Sequence, residues 1–264
     1  KAKQRAFSLK TGYVNHIIAN LTQDKKQTYG KIIDSSTSLQ STSFEDIVVS
    51  KFKPFYGNSI NEITETLGLD ISQKAKNYFD IVSKTILGID KNKDISEFKK
   101  ADIILKTVRL KENGLPKEDL SFPSFKYVEL IKESWDTSNL KDLLEKKFFF
   151  VFYQYNRNEL LLKKVQFWNM CASDIEEVKT VWKSMRQTIS DGKIVKFITS
   201  NGTRKNYFPK KSEHRISHVR PHARDSRDTY ILPVADQLTG LKEYTKHSFW
   251  LNASYIRDEI YGKS

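Results

Sequence analysis

The run ADIILKT (residues 101–107) places an acid, Asp102, and a lysine, Lys106, either side of Ile104. If the run is a strand, side chains alternate with period two and these three share one face. Carboxylates and a lysine on such a face can hold a divalent cation against a phosphate and steady the charge that develops there. An aliphatic residue in the middle place can neither ligate an ion nor polarise water. As an ordinary exposed pair, Asp102 and Lys106 would contribute under about 1 kcal/mol.

A second grouping lies between Thr203 and Arg227. Arg204, Lys205, Lys210, Lys211, Arg215, Arg220, Arg224 and Arg227 stand there against Glu213 and Asp225, a local charge of +6. Cations this dense, with Tyr207, Phe208 and Tyr230 beside them, suit contacts to phosphates while the turns reach base edges. The plainer alternative is a solvated basic face with no partner. His214, His218 and His222 recur every four residues and would share one face of an extended strand. No Cys or carboxylate completes a cluster with them, and cationic neighbours repel a divalent ion, so no metal is assigned. His222, beside Arg220 and Pro221, fits a groove-reading turn better. In KHSFWLNASYI (246–256), Phe249 belongs in the core. Trp250 faces the opposite way and is the aromatic able to touch a base, and Asn252 is placed to cap the helix that follows.

These groups need a scaffold, and 264 residues with 38% hydrophobic content suffice for one large or two small cores. A formal charge of +13 and a pI near 9.5 favour a polyanionic partner, with nucleic acid first. A membrane is disfavoured, because the mean hydropathy is −0.57 and no apolar run approaches the roughly 20 residues that span a bilayer. The single cysteine, Cys171, can form no intrachain disulfide and no zinc ribbon, which suits a reducing cytoplasm. The opening KAKQRAFSLK lacks Met, as expected of a fragment or a processed product.

The first hundred residues read as helical, with a polar loop at DSSTSLQSTS (34–43). Ser43 with Asp46 marks a helix start, and Ile60, Ile63 and Leu67 form a stripe that ends near Gly68. Ala75, Phe79, Val82 and Ile86 line another helical face. From about 101 the period becomes that of strands, with a turn at Asn113-Gly114 and a central hairpin, FFFVFYQY to ELLLKKVQFW. SDIEEVKTVWKSMRQTI is an amphipathic helix capped by Ser173 with Glu176, burying Ile175, Val178, Trp182, Met185 and Ile189. Short strands at KIVKFIT, KNYFP and EHRISHVRP precede a closing helix near Asn252. The expected class is α/β, with one domain over 1–264 whose helical part runs to about 95 and whose sheet part runs from about 96.

From about Lys53 to Ser264, an acidic residue, the LKT strand, an Asn-Gly turn with a following Pro, HVRPHA and then KHSFWLN occur in an order that resembles the MutH mismatch-repair endonuclease family. HVRPHA followed by KHSFWLN carries most of the likeness. Within that family the chain looks like the C-terminal domain of a two-domain, GATC-specific type II restriction endonuclease. The resemblance implies a MutH-like, restriction-endonuclease-like α/β fold with a central mixed β-sheet flanked by helices. The family holds Mg with a helical Glu, an Asp and a Glu-x-Lys strand. Glu62, Glu97 and Lys106 match three of these places, and Ile104 stands in the fourth. Asp102, about 6 to 7 Å along the strand from Ile104, is too far to substitute without a shifted metal.

The resemblance thus implies a catalytically inactive domain with no cofactor of its own, Mg being required by the parent enzyme. Arg220 and Pro221 match the family's groove-entering Arg-Pro turn. His222 takes the place of a lysine in the mismatch-repair branch, and Trp250 that of a tyrosine associated with the target adenine. The expected DNA-binding residues are Arg204, Lys205, Lys210, Lys211, Arg215, Arg220, Pro221, His222, Arg224, Lys246 and Trp250. The expected partners are double-stranded DNA containing GATC and the parent's catalytic N-terminal domain, with dimerisation on DNA and no membrane, in a bacterial cytoplasm. Two other readings stay open: an active Mg-dependent GATC endonuclease using Asp102, Glu97 and Lys106, and a non-specific DNA-binding or scaffolding module.

Overall fold

Ser43 and Ser59 each precede an apolar run and each starts a helix. Their hydroxyls accept from the N–H groups of Asp46 and Glu62, filling donors that a helix N-terminus leaves open. The computed structural model describes residues 9, 11–21, 29–33 and 42–262. Most of the expected loop at 34–43, and most of KAKQRAFSLK, lies outside the described residues. No helix among the described residues is long and apolar enough to cross a membrane.

The helices are α1 (Thr11–Leu21), α2 (Phe44–Phe52), α3 (Ile60–Thr66), α4 (Tyr78–Ile86), α5 (Ser96–Ala101), α6 (Tyr127–Leu130), α7 (Asn139–Glu145), α8 (Ala172–Ser190) and α9 (Ala253–Tyr255). The strands are β1 (Tyr29–Gly30), β2 (Asp94–Ile95), β3 (Ile103–Leu110), β4 (Leu120–Phe125), β5 (Lys147–Asn156), β6 (Glu159–Trp168), β7 (Val195–Ile198), β8 (Arg204–Asn206), β9 (Ser217–Pro221), β10 (Thr229–Ile231), β11 (Glu243–Thr245) and β12 (His247–Leu251). They fall into two compact units, residues 1–114 with 146–169 and residues 115–145 with 170–264.

In the first unit β5 is the middle of three strands, parallel to β3 and antiparallel to β6. Its near-continuous apolar run is what a strand buried on both faces requires, and Phe148 to Tyr153 are all buried. The β5–β6 hairpin expected from the pattern is present, with Arg157 at φ 55° in its turn. Val48, Phe52, Ile63, Val82 and Phe98, from the helices, form one core with Phe149, Val151 and Tyr153. Each such side chain adds roughly 1.5–3 kcal/mol on burial. Gly114 does turn the chain, at φ 76°. β3 nevertheless pairs with β5 in parallel and makes no hairpin with β4, which lies in the second unit's sheet.

In the second unit β12 runs between β4 and β9, antiparallel to both. β7 with β8 and β10 with β11 form separate two-stranded pairs. Helix α8 buries Ile175, Val178, Trp182, Met185 and Ile189, the expected stripe. Its cap differs from expectation: the helix begins at Ala172 with Cys171 in the N-cap position. Ser173 therefore lies inside the first turn, where its hydroxyl meets Cys171 Sγ at 3.1 Å.

Candidate nucleic-acid interface

The acidic places at the start of β3 do not converge. Asp102 precedes the strand in the left-handed region (φ 54°, ψ 44°), as the C-terminal cap of α5. That conformation is one Asp tolerates better than most residues. The expectation that Asp102 shares a strand face with Ile104 and Lys106 is corrected accordingly, and its carboxylate instead lies 3.5 Å from Lys146. Glu62 closes a capping box on α3, accepting from Ser59 N–H at 2.7 Å. Glu97 Oε1 accepts from the N–H groups of Ile32 and Ile33 at 2.9 and 3.1 Å, and its Oε2 is buried with no hydrogen-bond partner. Burial pushes the Lys106 ammonium below the ordinary lysine range.

A cleft of about 340 Å³ at the start of β3 is lined by Asp80, Asp94, Asp102, Lys84, Lys99 and Lys146, among others. Lys84 lies 2.9 Å from Asp80 and 3.6 Å from Asp94, and Lys99 lies 3.4 Å from Asp94. With Lys146 on Asp102, every acid in the cleft has an ammonium beside it. Among the described residues no three His, Cys, Asp or Glu side chains are placed to hold a metal ion. A hard cation needs several converging oxygens, so these residues do not fit Mg.

The basic face of the second unit is differently built. Along β9 Ser217, His218 and Val219 are buried on both faces of the strand, and Arg220 and Pro221 at its end are exposed. The Arg220 guanidinium lies 4.7 Å over the ring of Trp250, and the His222 ring lies 5.3 Å from the same indole. His222 Nδ1 is 2.7 Å from Ser248 Oγ. Cation–π contact at a half-exposed site gives about 0.5–1 kcal/mol, which biases a long side chain toward this rotamer without fixing it.

Beneath this cluster sits Asp119, whose side chain is only 8% exposed. It accepts from Lys211 at 2.5 Å and from Ala253 N–H at 2.7 Å, with Arg220 Nη1 at 3.7 Å and His218 Nε2 at 3.8 Å. Burial alone would raise the Asp119 carboxyl, but the Lys211 ammonium and the Ala253 N–H outweigh it and hold the group below the usual range. Asn252 occupies the N-cap position of α9 without capping it. Its Oδ1 meets His218 Nδ1 at 2.6 Å, and its amide donates to the carbonyls of His214 and Arg215 at 2.7 and 2.8 Å. Burial lowers the His218 pKa against these contacts.

Arg220, Pro221, His222 and Trp250 are thus brought together, and Lys211 joins them through Asp119. Lys246 is paired with Asp228 and lies 4.6 Å over Tyr230. Arg204 lies 5.4 Å from the Tyr244 ring, while Lys205 and Lys210 are exposed. Arg224 is exposed, 3.5 Å from Asp225. Arg215 is bound to Asp174 and Glu177 at 2.7 and 2.8 Å, so its charge is answered inside the fold. Phe249 is buried and Trp250 is half-buried, as alternation requires. The residue missed in the sequence is Asp119: an acid just before β4 shows its partners only once β4, β12 and β9 are known to pair.

Residues 87–180 match the family of the DNA mismatch repair enzyme MutH. This segment resembles the MutH family. Its α/β architecture with a mixed sheet is the restriction-endonuclease-like one. Over 98% of its length the chain is also similar, at 31% identity, to the Type II restriction enzyme Sau3AI of Staphylococcus aureus. The chain spans 60% of that enzyme, so it is the counterpart of a part, and a MutH-like, restriction-related one.

Proposed function

We propose that this chain binds duplex DNA at GATC without cutting it and, by occupying such a site, regulates a companion catalytic domain of a type II restriction enzyme. Bivalent engagement of two sites on one DNA then makes the second binding event intramolecular. The carrying observation is the contrast between places: Ile104 and the diverted carboxylates of Glu62, Glu97 and Asp102 on one side, and the Arg220–Trp250 stack above Asp119 on the other. In this reading Lys211 and the exposed cations meet phosphates, and Arg220 pairs with a guanine edge from the Arg-Pro turn. No metal takes part in binding, and the parent's Mg chemistry belongs to its other domain.

Gel shifts with GATC and scrambled duplexes at matched salt test recognition, since equal affinities would leave only sequence-blind binding. Incubation with GATC-bearing plasmid and Mg²⁺ tests inactivity. Reproducible nicking that Lys106→Ala abolishes would sink it.

A further inference from the structure

From Gly192 to Ser212 the chain carries Lys193, Lys196, Arg204, Lys205, Lys210 and Lys211 and no acid at all. This stretch contains the β7–β8 hairpin. The base of the hairpin is fixed: Ile194 and Val195 both donate N–H to Asp236 Oδ2, at 2.9 and 2.8 Å, and Tyr207 N–H donates to Ile194 O at 3.0 Å. Asp236 is buried, as are Ile194, Val195 and Phe208. Phe208 stands edge-on to the rings of Tyr244 and His247, at 5.8 and 4.8 Å. His247 in turn pairs with Pro221 of β9, which ties the hairpin base to the strand that carries Arg220.

Beyond that base Arg204 reaches back to the Tyr244 ring, at 5.4 Å, while the large apolar side chains point into solvent. Phe197 and Ile198 are 48% and 52% exposed, and neighbours on a strand point to opposite faces, so both faces are open to solvent. Their cross-strand partners are the cations Lys205 and Arg204. The tip closes on itself: Thr199 N–H donates to Thr203 O and Gly202 N–H to Thr199 O, both at 2.9 Å, with Gly202 at φ 78°. An anchored ribbon with a closed tip keeps two large apolar side chains in water between cations. Such a device gains when the cations meet phosphates and the apolar groups meet bases.

We propose that the β7–β8 hairpin is a DNA-deforming arm. Lys196, Arg204 and Lys205 seat on phosphates, while Phe197, with Ile198, enters the minor groove and unstacks a base step, kinking the duplex. The proposal rests on the DNA-binding reading above and adds deformation to it. A wedge of this kind makes recognition depend on how easily a step opens, at positions that Arg220 never touches.

The test uses the full chain and a short GATC duplex with a fluorescence donor and acceptor at its two ends. Saturating unmodified chain should raise energy transfer. Phe197→Ala with Ile198→Ala, both at exposed positions, should bind about tenfold more weakly and at saturation leave transfer at the free-DNA value. Arg220→Ala should keep the kink once saturated. A kink that survives the double substitution, or a saturated duplex that stays unbent with the unmodified chain, overturns the arm and leaves DNA binding standing. Absence of any duplex binding by the unmodified chain overturns the DNA reading, and the arm with it. Loss of sedimentation with phosphatidylserine vesicles in the double variant, with DNA behaviour unchanged, would assign the hairpin to membranes instead.

Discussion

The cleft at β3 and the cluster around Asp119 are both built from acids and cations, and they differ in ratio. In the cleft Asp80, Asp94 and Asp102 face Lys84, Lys99 and Lys146, so charge cancels within the fold. Around Asp119 one buried carboxylate serves Lys211 and Arg220, with His218 near it, so positive charge is left over. Closed pairs hold a shape and offer an anion nothing. A shared carboxylate positions its cations and leaves their remaining donors outward. On the function proposed above, a domain that binds DNA without cutting it calls for both arrangements.

The largest expected effect follows from removing the shared carboxylate. Asp119→Ala strands the Ala253 N–H and frees Lys211 and Arg220, so unfolding free energy in urea should fall by about 3 kcal/mol. On DNA it should shrink the ratio of GATC to scrambled affinity, because loosened cations still find phosphates. Unchanged stability would mean the carboxylate is not shared in solution. Arg220→Ala comes next, with specific affinity expected to drop by roughly 1 to 3 kcal/mol in a titration. An equal drop on scrambled duplex would make Arg220 a phosphate contact and leave the two regions less different than the ratio suggests.

One layer below the cluster the charge disappears. His247 is buried, its Nδ1–H donates to Thr245 O at 2.6 Å, and its Nε2 has no partner. Burial pulls its pKa down to about 4, from an ordinary 6.5. The unfolded chain therefore takes up a proton as pH falls through 6.5 while the folded chain does not, so this stability is full above 6.5 and lost between 6.5 and 4. Between pH 7.5 and 5.5 the loss should be about 1.4 kcal/mol, read as a urea midpoint shift that His247→Gln removes. His218, also lowered by burial, acts in the same direction, so the variant and not the wild-type slope isolates His247.

Much of this was legible in the chain. The apolar run of β5 announced a strand buried on both faces, the i, i+3, i+4 spacing of α8 located its buried stripe, and alternation separated Phe249 from Trp250. What escaped was whatever depends on one backbone angle or on a distant partner. Asp102 continues a strand-like pattern, yet a left-handed cap on α5 takes it out of the strand. Ser173 with Glu176 has the spacing of a capping box, but the helix starts before it. Asn252 looked like a cap and binds His218 instead, and Arg215 looked free and is held by carboxylates of α8. Pairing order decides such cases, and pairing order is not local.

The smallest expected effect is also the most direct probe of the cleft. If Ile104 alone disabled the site, Ile104→Glu should bring back Mg²⁺ binding and nicking. The geometry predicts neither. A carboxylate at 104 would meet too few oxygens for a hard cation, since Glu97 is tied through Oε1 to two backbone N–H groups with only its Oε2 unpartnered, and Asp102 faces Lys146. It would also stand at a cleft lined by three lysines, where an ammonium answers the new charge before a hydrated cation can shed its water. Titration calorimetry with Mg²⁺ and a plasmid assay should both match the unmodified chain. Nicking by Ile104→Glu would show that Glu97 and Asp102 can swing back, making the diverted carboxylates a consequence of the isoleucine. Silence would show that the whole cleft, and not one residue, has been rebuilt around internal pairs.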